Sequence, residues 1–146
     1  MKGHQNVVNS IDSLKKSGSH STNSSDLIVS GSDDMTVKLW DERVKNCIAS
    51  YELDYQITSV AFSKGVTWAS DYVYFGGLDN TVKAINLRKN QIEFALIGHT
   101  DTVTGISVSN DGKSLCSNSM DHTVRIWDIK PFVVGNDDNS RCLMSL

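Results

Sequence analysis

The chain writes nearly the same strand twice. "SDDMTVKLWD" occupies residues 32–41, "SMDHTVRIWD" residues 119–128, and a blurred copy, "LDNTVKAIN", lies between them at 78–86. Aligned, Asp34, Asp79 and Asp121 fall in one column at intervals of 45 and 42 residues, followed by columns of Thr36, Thr81, Thr123 and of Val37, Val82, Val124. A further column holds Trp40, Ile85 and Trp127. Side chains alternate along a strand, so in "TVRIWD" Val124 and Ile126 share one face and Trp127 takes the other. Both faces are apolar, and such a strand must be covered on both sides. Repetition is then a packing requirement, since each sheet needs a neighbour built like itself.

A period of about 40–45 residues ending in a Trp-Asp strand is that of a β-propeller blade with four strands per repeat. The expected fold is all-β, built of three blades of four antiparallel strands, divided as 1–53, 54–97 and 98–146. In the third repeat "TVTGISVS" (102–109), "SLCSNS" (114–119), "TVRIWD" and "RCLMSL" (141–146) read as its strands a to d. Asp111-Gly112 supplies a hairpin turn between the first two. The polar stretch 17–25 and the stretch 131–140 are expected to be flexible loops. Closed propellers have about four to eight blades, and three cannot close. Both end blades would present apolar faces larger than a soluble monomer normally exposes. The chain is therefore expected to be part of a larger ring, or to associate with other blades.

The formal net charge is −3, and no run of basic residues exceeds the pair Lys15-Lys16, so direct nucleic-acid binding is not expected. Cys47, Cys116 and Cys142 are odd in number and widely spaced, which signals neither a disulfide framework nor a zinc site and suits a reducing compartment. The sequence shows no apolar stretch of membrane-spanning length and no apolar signal core at "MKGHQNVVNS". An intracellular protein without membrane contact is expected.

His99, Ser117 and Asp121 are residue types that could form a hydrolase triad. Ser117, however, lacks a G-x-S-x-G elbow. "GH" at 98–99 opens the repeat, Asp121 lies in the turn between strands b and c, and Trp127 follows in strand c. These residues resemble the WD-repeat family, and the resemblance covers essentially the whole chain. In that family the matching positions form a structural hydrogen-bonded rack in which His links the turn Asp to the strand-b hydroxyl and the Trp indole. The first repeat offers the same set as His4, Ser30, Asp34 and Trp40, with eight extra residues between His and Asp that are assigned to the polar loop. The middle repeat departs from it: counting back from Asp79 gives Phe75 for Ser and Ile57 near the His position, with Ile85 for Trp. Apolar packing is expected there in place of a rack. Neither the acidic loops nor the four histidines have ligand spacing, so no metal, cofactor or small-molecule substrate is expected.

Within the family, "SNSMDHTVRIWDIKPF" is similar to the WD-repeat subunits of the spliceosomal U5 small nuclear ribonucleoprotein, because Pro-Phe after the Trp-Asp strand is not generic to such blades. That resemblance implies a seven-bladed propeller, a nuclear location, and a non-catalytic docking surface that binds the particle's large scaffold protein in pre-mRNA splicing. A rigid ring with variable loops on its rims suits partner binding. The rim of d–a and b–c loops offers Gln5, Met35, Tyr55, Asn80, Asp101 and His122 as contact candidates. Two alternatives stand beside this reading. "WDER" at 40–43 matches a W-D-x-R signature of propellers resembling cullin-type ubiquitin-ligase substrate receptors, with Arg43 as adaptor contact, and a serine hydrolase using Ser117 is the more remote one.

Overall fold

The computed structural model describes residues 3–14, 26–64, 71–130 and 141–146. The loop expectations for 17–25 and 131–140 fall outside the described residues. The described chain is β throughout and forms three four-stranded antiparallel sheets. Sheet one contains β1 (Val8–Leu14), β2 (Leu27–Ser32), β3 (Thr36–Asp41) and β4 (Cys47–Glu52), side by side in that order. Sheet two contains β5 (Ile57–Phe62), β6 (Tyr72–Gly77), β7 (Val82–Asn86) and β8 (Gln91–Leu96). Sheet three contains β9 (Val103–Val108), β10 (Ser114–Ser119), β11 (Val124–Asp128) and β12 (Cys142–Ser145). Short turns join β2 to β3 to β4, β6 to β7 to β8 and β9 to β10 to β11, and turns of that length can only join adjacent antiparallel strands.

Register makes the sheets superimposable by position. Ile11 pairs with Ser30, Val60 with Phe75 and Ile106 with Ser117. The next strand in each sheet then sets Lys38, Lys83 and Arg125 opposite those partners.

The sheets stack in chain order through two cores. Val29, Val37 and Leu39 of sheet one meet Ile57, Val60, Phe62, Phe75 and Ile85 of sheet two. The other face of sheet two, through Tyr74, Ala84 and Leu96, meets Val103, Leu115 and Trp127 of sheet three. Sheet two is thus apolar front and back and covered on both sides, as its sequence demands.

The first strands of adjacent sheets are also stapled. The Val60 N–H donates to Ser10 Oγ (3.1 Å), and at the equivalent position one sheet on, the Ile106 N–H donates to Ser59 Oγ (3.0 Å). These edge-strand amides point away from their own ladder, so a side chain from the preceding sheet satisfies them.

Candidate functional site

The b–c turns carry the polar chemistry of the fold. In sheet three the Trp127 indole N–H donates to Ser117 Oγ (2.8 Å), Ser117 Oγ lies 2.8 Å from His99 Nε2, and His99 Nδ1 lies 2.8 Å from Asp121 Oδ2. With a neutral ring protonated at Nδ1, the chain runs one way. The indole donates to the hydroxyl, the hydroxyl to Nε2, and Nδ1–H to the carboxylate, so each donor finds one acceptor. Sheet one repeats the set: Trp40 to Ser30 at 2.8 Å, Ser30 to His4 at 2.6 Å, and His4 to Asp34 at 2.8 Å.

Each turn carboxylate is saturated. Asp121 accepts from the Thr100 N–H (3.0 Å), the Thr123 N–H (2.9 Å) and the Thr123 hydroxyl (2.6 Å) besides His99, and Asp34 does the same with Gln5 and Thr36. Four donors match the roughly four lone-pair directions a carboxylate offers. Burial pushes the Asp121 carboxyl up. Its hydrogen bonds from Thr123, Thr100 and His99 outweigh that and hold it well below the usual carboxylate range, and Asp34 behaves alike. A carboxylate whose pKa is depressed on folding contributes stability that is fully present above its unfolded value, near 4 for Asp, and lost as pH falls below it. Urea midpoints are therefore expected to stay level from pH 7 to 5 and fall below about pH 4. Asp121→Asn lowers the plateau and flattens that acid limb; a limb unchanged by the substitution would contradict this role.

Glycine before each histidine has a steric reason. A Cβ on Gly98 would stand 3.0 Å from the Trp127 ring edge, and one on Gly3 would stand 2.8 Å from that of Trp40. The "GH" dipeptide thus lets the backbone seal the indole while the next residue bonds the turn.

Ser117 shares its hydrogen-bond connectivity with a nucleophile, but its surroundings differ. It is 1% exposed, and its oxygen already takes the indole proton. A nucleophilic serine needs an open approach and an oxyanion site. Ser117 is enclosed, and its hydroxyl is committed to the indole and to His99.

The middle sheet replaces the rack's interior with hydrocarbon. Ile57, Phe75 and Ile85 are each 0% exposed in the first core. Register corrects one residue here. Val8, Ile57 and Val103 are equivalent, so the position matching His4 and His99 is Leu53, not Ile57. The count from Asp79 missed this because four more residues separate Val60 from Phe75 than separate Ile106 from Ser117. The turn end also stays polar. Asp79 accepts from the Thr81 hydroxyl (2.8 Å) and pairs with Lys83 Nζ (2.8 Å), whose ammonium sits 4.8 Å from the centre of the Tyr55 ring. Lysine here takes the place of histidine as the partner of the turn carboxylate.

The three turns share a backbone feature that sequence reading missed. Met35, Asn80 and His122, each directly after the turn Asp, have φ of 64°, 66° and 66°. The D-x-T spacing is the available signal, because the Asp side chain bonds the Thr N–H two residues on and closes a tight turn around the residue between. Of the rim candidates, Gln5, Met35, Asp101 and His122 are exposed and Asn80 is partly so, with its amide donating to the Thr100 carbonyl (3.3 Å). Tyr55 is half-buried against the first core, and burial pushes its hydroxyl up to about 12. Arg43 lies at the opposite end of the strands, its guanidinium paired with Asp41 at 2.9 Å. Lys130 pairs with Asp128 in the same place on sheet three at 3.2 Å.

Stacked four-stranded sheets, two of them carrying a Trp strand locked by a His–Asp–Ser–Trp rack, define a propeller-blade protein of the WD-repeat type. The family described as "WD domain, G-beta repeat" matches residues 1–41 and 90–128, and the chain belongs to it. It is 46% identical to the pre-mRNA-splicing factor cwf17 of Schizosaccharomyces pombe, over 90% of this chain and 35% of that protein. It is 42% identical to the U5 small nuclear ribonucleoprotein 40 kDa protein of Homo sapiens, over 77% of this chain and 28% of that one. A guanine nucleotide-binding protein subunit, beta-5b of Danio rerio, is 35% identical over 71% of the chain. The chain thus spans 26–35% of the length of these curated relatives. Residues 42–89, which hold three of the four strands of the rack-less middle sheet, lie outside the stretches that the family matches.

Proposed function

We propose that this protein is a non-catalytic docking surface acting in pre-mRNA splicing, located in the nucleus, whose partner is the large scaffold protein of the U5 particle. The similarity to cwf17 and to the U5 40 kDa protein supports the process and the particle. The observation that carries the surface is the set of D-x-T turns. Racks at two of them and the Lys83 pair at the third hold Met35, Asn80 and His122 in one backbone conformation along a single rim. A loop held rigidly by a sheet loses little entropy on binding, which favours recognition. Gln5 and Asp101 flank the same turns and, with the half-buried Tyr55, complete the contact set.

The scaffold reading also fits the serine. Its hydroxyl serves the rack, and a covalent serine probe is expected to leave Ser117 unlabelled. The ligase-receptor reading gains no support from Arg43, whose pairing with Asp41 has a counterpart in Lys130 and Asp128.

The test is a pull-down from nuclear extract, comparing the wild-type chain with a variant carrying alanine at Gln5, Met35, Asn80, Asp101 and His122. Wild type is expected to retain splicing proteins and not cullin adaptors, and the variant to lose more than tenfold of them. Retention by the variant at wild-type level would overturn the choice of rim, and recovery of ligase adaptors would overturn the process.

A further inference from the structure

The residue just before each turn aspartate is tied to the start of its sheet's first strand. The Asp33 N–H donates to the Val7 carbonyl (2.9 Å), the Leu78 N–H to the Gln56 carbonyl (3.3 Å) and the Met120 N–H to the Thr102 carbonyl (2.9 Å). Two of the three are apolar and open to solvent, Leu78 at 47% and Met120 at 59%. Sheet two is covered on both faces, so the exposure of Leu78 comes from its place on the rim and not from an unstacked sheet. Met120 holds the same place in sheet three by the equivalent hydrogen bond. Ile97, in the loop that joins sheets two and three at this end, is exposed as well. Large aliphatic side chains gathered on one rim mark a contact surface.

Carboxylates alternate with these apolar positions. A line of hydrogen bonds follows the rim from Gln56 to Leu78, from the Asn80 amide to the Thr100 carbonyl (3.3 Å), and from Ser119 Oγ to the Asp101 carbonyl (2.7 Å) beside Met120. Asp54 stands two residues before Gln56, and Asp101 lies between Leu78 and Met120 on that line. Asp54, Asp101 and Glu52 are exposed, and among the described residues none of the three has an ion pair. The cations of this end are engaged elsewhere. Lys83 pairs with Asp79 (2.8 Å), Lys38 donates to Ser50 Oγ (2.9 Å), and Arg125 is half-buried against Gly98. The rim thus carries a negative excess on the same stretch as its exposed aliphatic side chains.

We infer that this rim holds a protein segment in which lysine or arginine alternates with aliphatic residues, the aliphatic side chains resting on Leu78 and Met120 and the cations meeting Asp54 and Asp101. The inference rests on the rim reading above and adds the chemistry of the partner. A phosphate backbone is repelled by these carboxylates, and a purely basic segment would leave Leu78 and Met120 facing water. Only a segment with both kinds of side chain answers both features. Charge across such a rim sets partner choice and encounter rate, and the aliphatic contacts add affinity. Both anchors sit on turns already held, by the Lys83–Asp79 pair in sheet two and the His99–Asp121 rack in sheet three, so this side needs little ordering on binding.

Fluorescence anisotropy on the full chain tests it with labelled synthetic peptides: one of lysine and leucine, its counterpart of glutamate and leucine, and its counterpart of lysine and serine. The first is expected to bind about tenfold more tightly than either counterpart and to weaken as salt is raised. Asp54→Asn with Asp101→Asn keeps an amide oxygen for the Thr102 N–H that Asp101 accepts. That pair is expected to weaken the first peptide about five- to tenfold and to remove most of the salt dependence. Leu78→Ser with Met120→Ser is expected to weaken it about tenfold and leave the salt dependence in place. Asp111→Asn, at the opposite end of the strands beside Lys113, is expected to bind as wild type, with circular dichroism reporting that the sheets persist in every variant. Equal binding of the glutamate counterpart, wild-type affinity in either double variant, or an equal loss in Asp111→Asn would overturn the inference. The splicing reading fails separately. Peptide selectivity as expected, with no splicing protein retained from nuclear extract, removes that reading and leaves the rim's chemistry standing. Retention of splicing proteins by a chain that does not discriminate among the peptides overturns the inference and leaves the splicing reading.

Discussion

Trp127→Ala is expected to cost about 3–5 kcal/mol of unfolding free energy, a large part of the total for a domain of this size. Three losses coincide at one residue. The indole is fully buried between sheets two and three, Gly98 packs on its edge, and its N–H supplies the proton that Ser117 Oγ accepts. Urea denaturation followed by far-ultraviolet circular dichroism measures the cost. Trp127→Phe separates the contributions, since most of the volume returns while the hydroxyl loses its donor, and about 1–2 kcal/mol is expected. Trp40 has the same rack and is buried, but it borders an open cleft lined by Ile11 and Ile28 where Trp127 meets sheet two, so Trp40→Ala is expected to cost less than Trp127→Ala. Equal costs would mean that the covering sheet contributes nothing to the worth of the indole.

Phe75→Ser is the second large effect, although it restores the residue found at the equivalent position of both neighbouring sheets. Phe75 is 0% exposed and packs with Ile57, Val60 and Ile85. Serine there leaves a cavity and a buried hydroxyl, because Leu53 and Ile85 stand where the histidine and the tryptophan would have to be. A loss of about 3–5 kcal/mol is expected. The triple variant Leu53→His, Phe75→Ser, Ile85→Trp should recover part of that loss, with Asp79 available as the rack carboxylate. Recovery with histidine at position 57 instead of 53 would show that the register equivalence is wrong. The comparison tests whether a rack is a unit, as coupled buried polar groups are expected to be.

What the sequence determined is the repeated unit. The D-x-T turns, the alternation in "TVKLWD" and "TVRIWD", and the glycine-histidine openings are local, because they concern residues that meet within one sheet or at its first strand. They were enough to give the strands, their order, the composition of both racks and the apolar replacement in the middle sheet. What only the tertiary structure decided depends on distance across a gap of variable length or between sheets. Leu53 takes the histidine position because strand pairing, and not a count along the chain, sets which residues oppose one another. Lys83 reaches Asp79 where no histidine stands to give the carboxylate a ring N–H. Tyr55 turns inward because a neighbouring core is there to receive it.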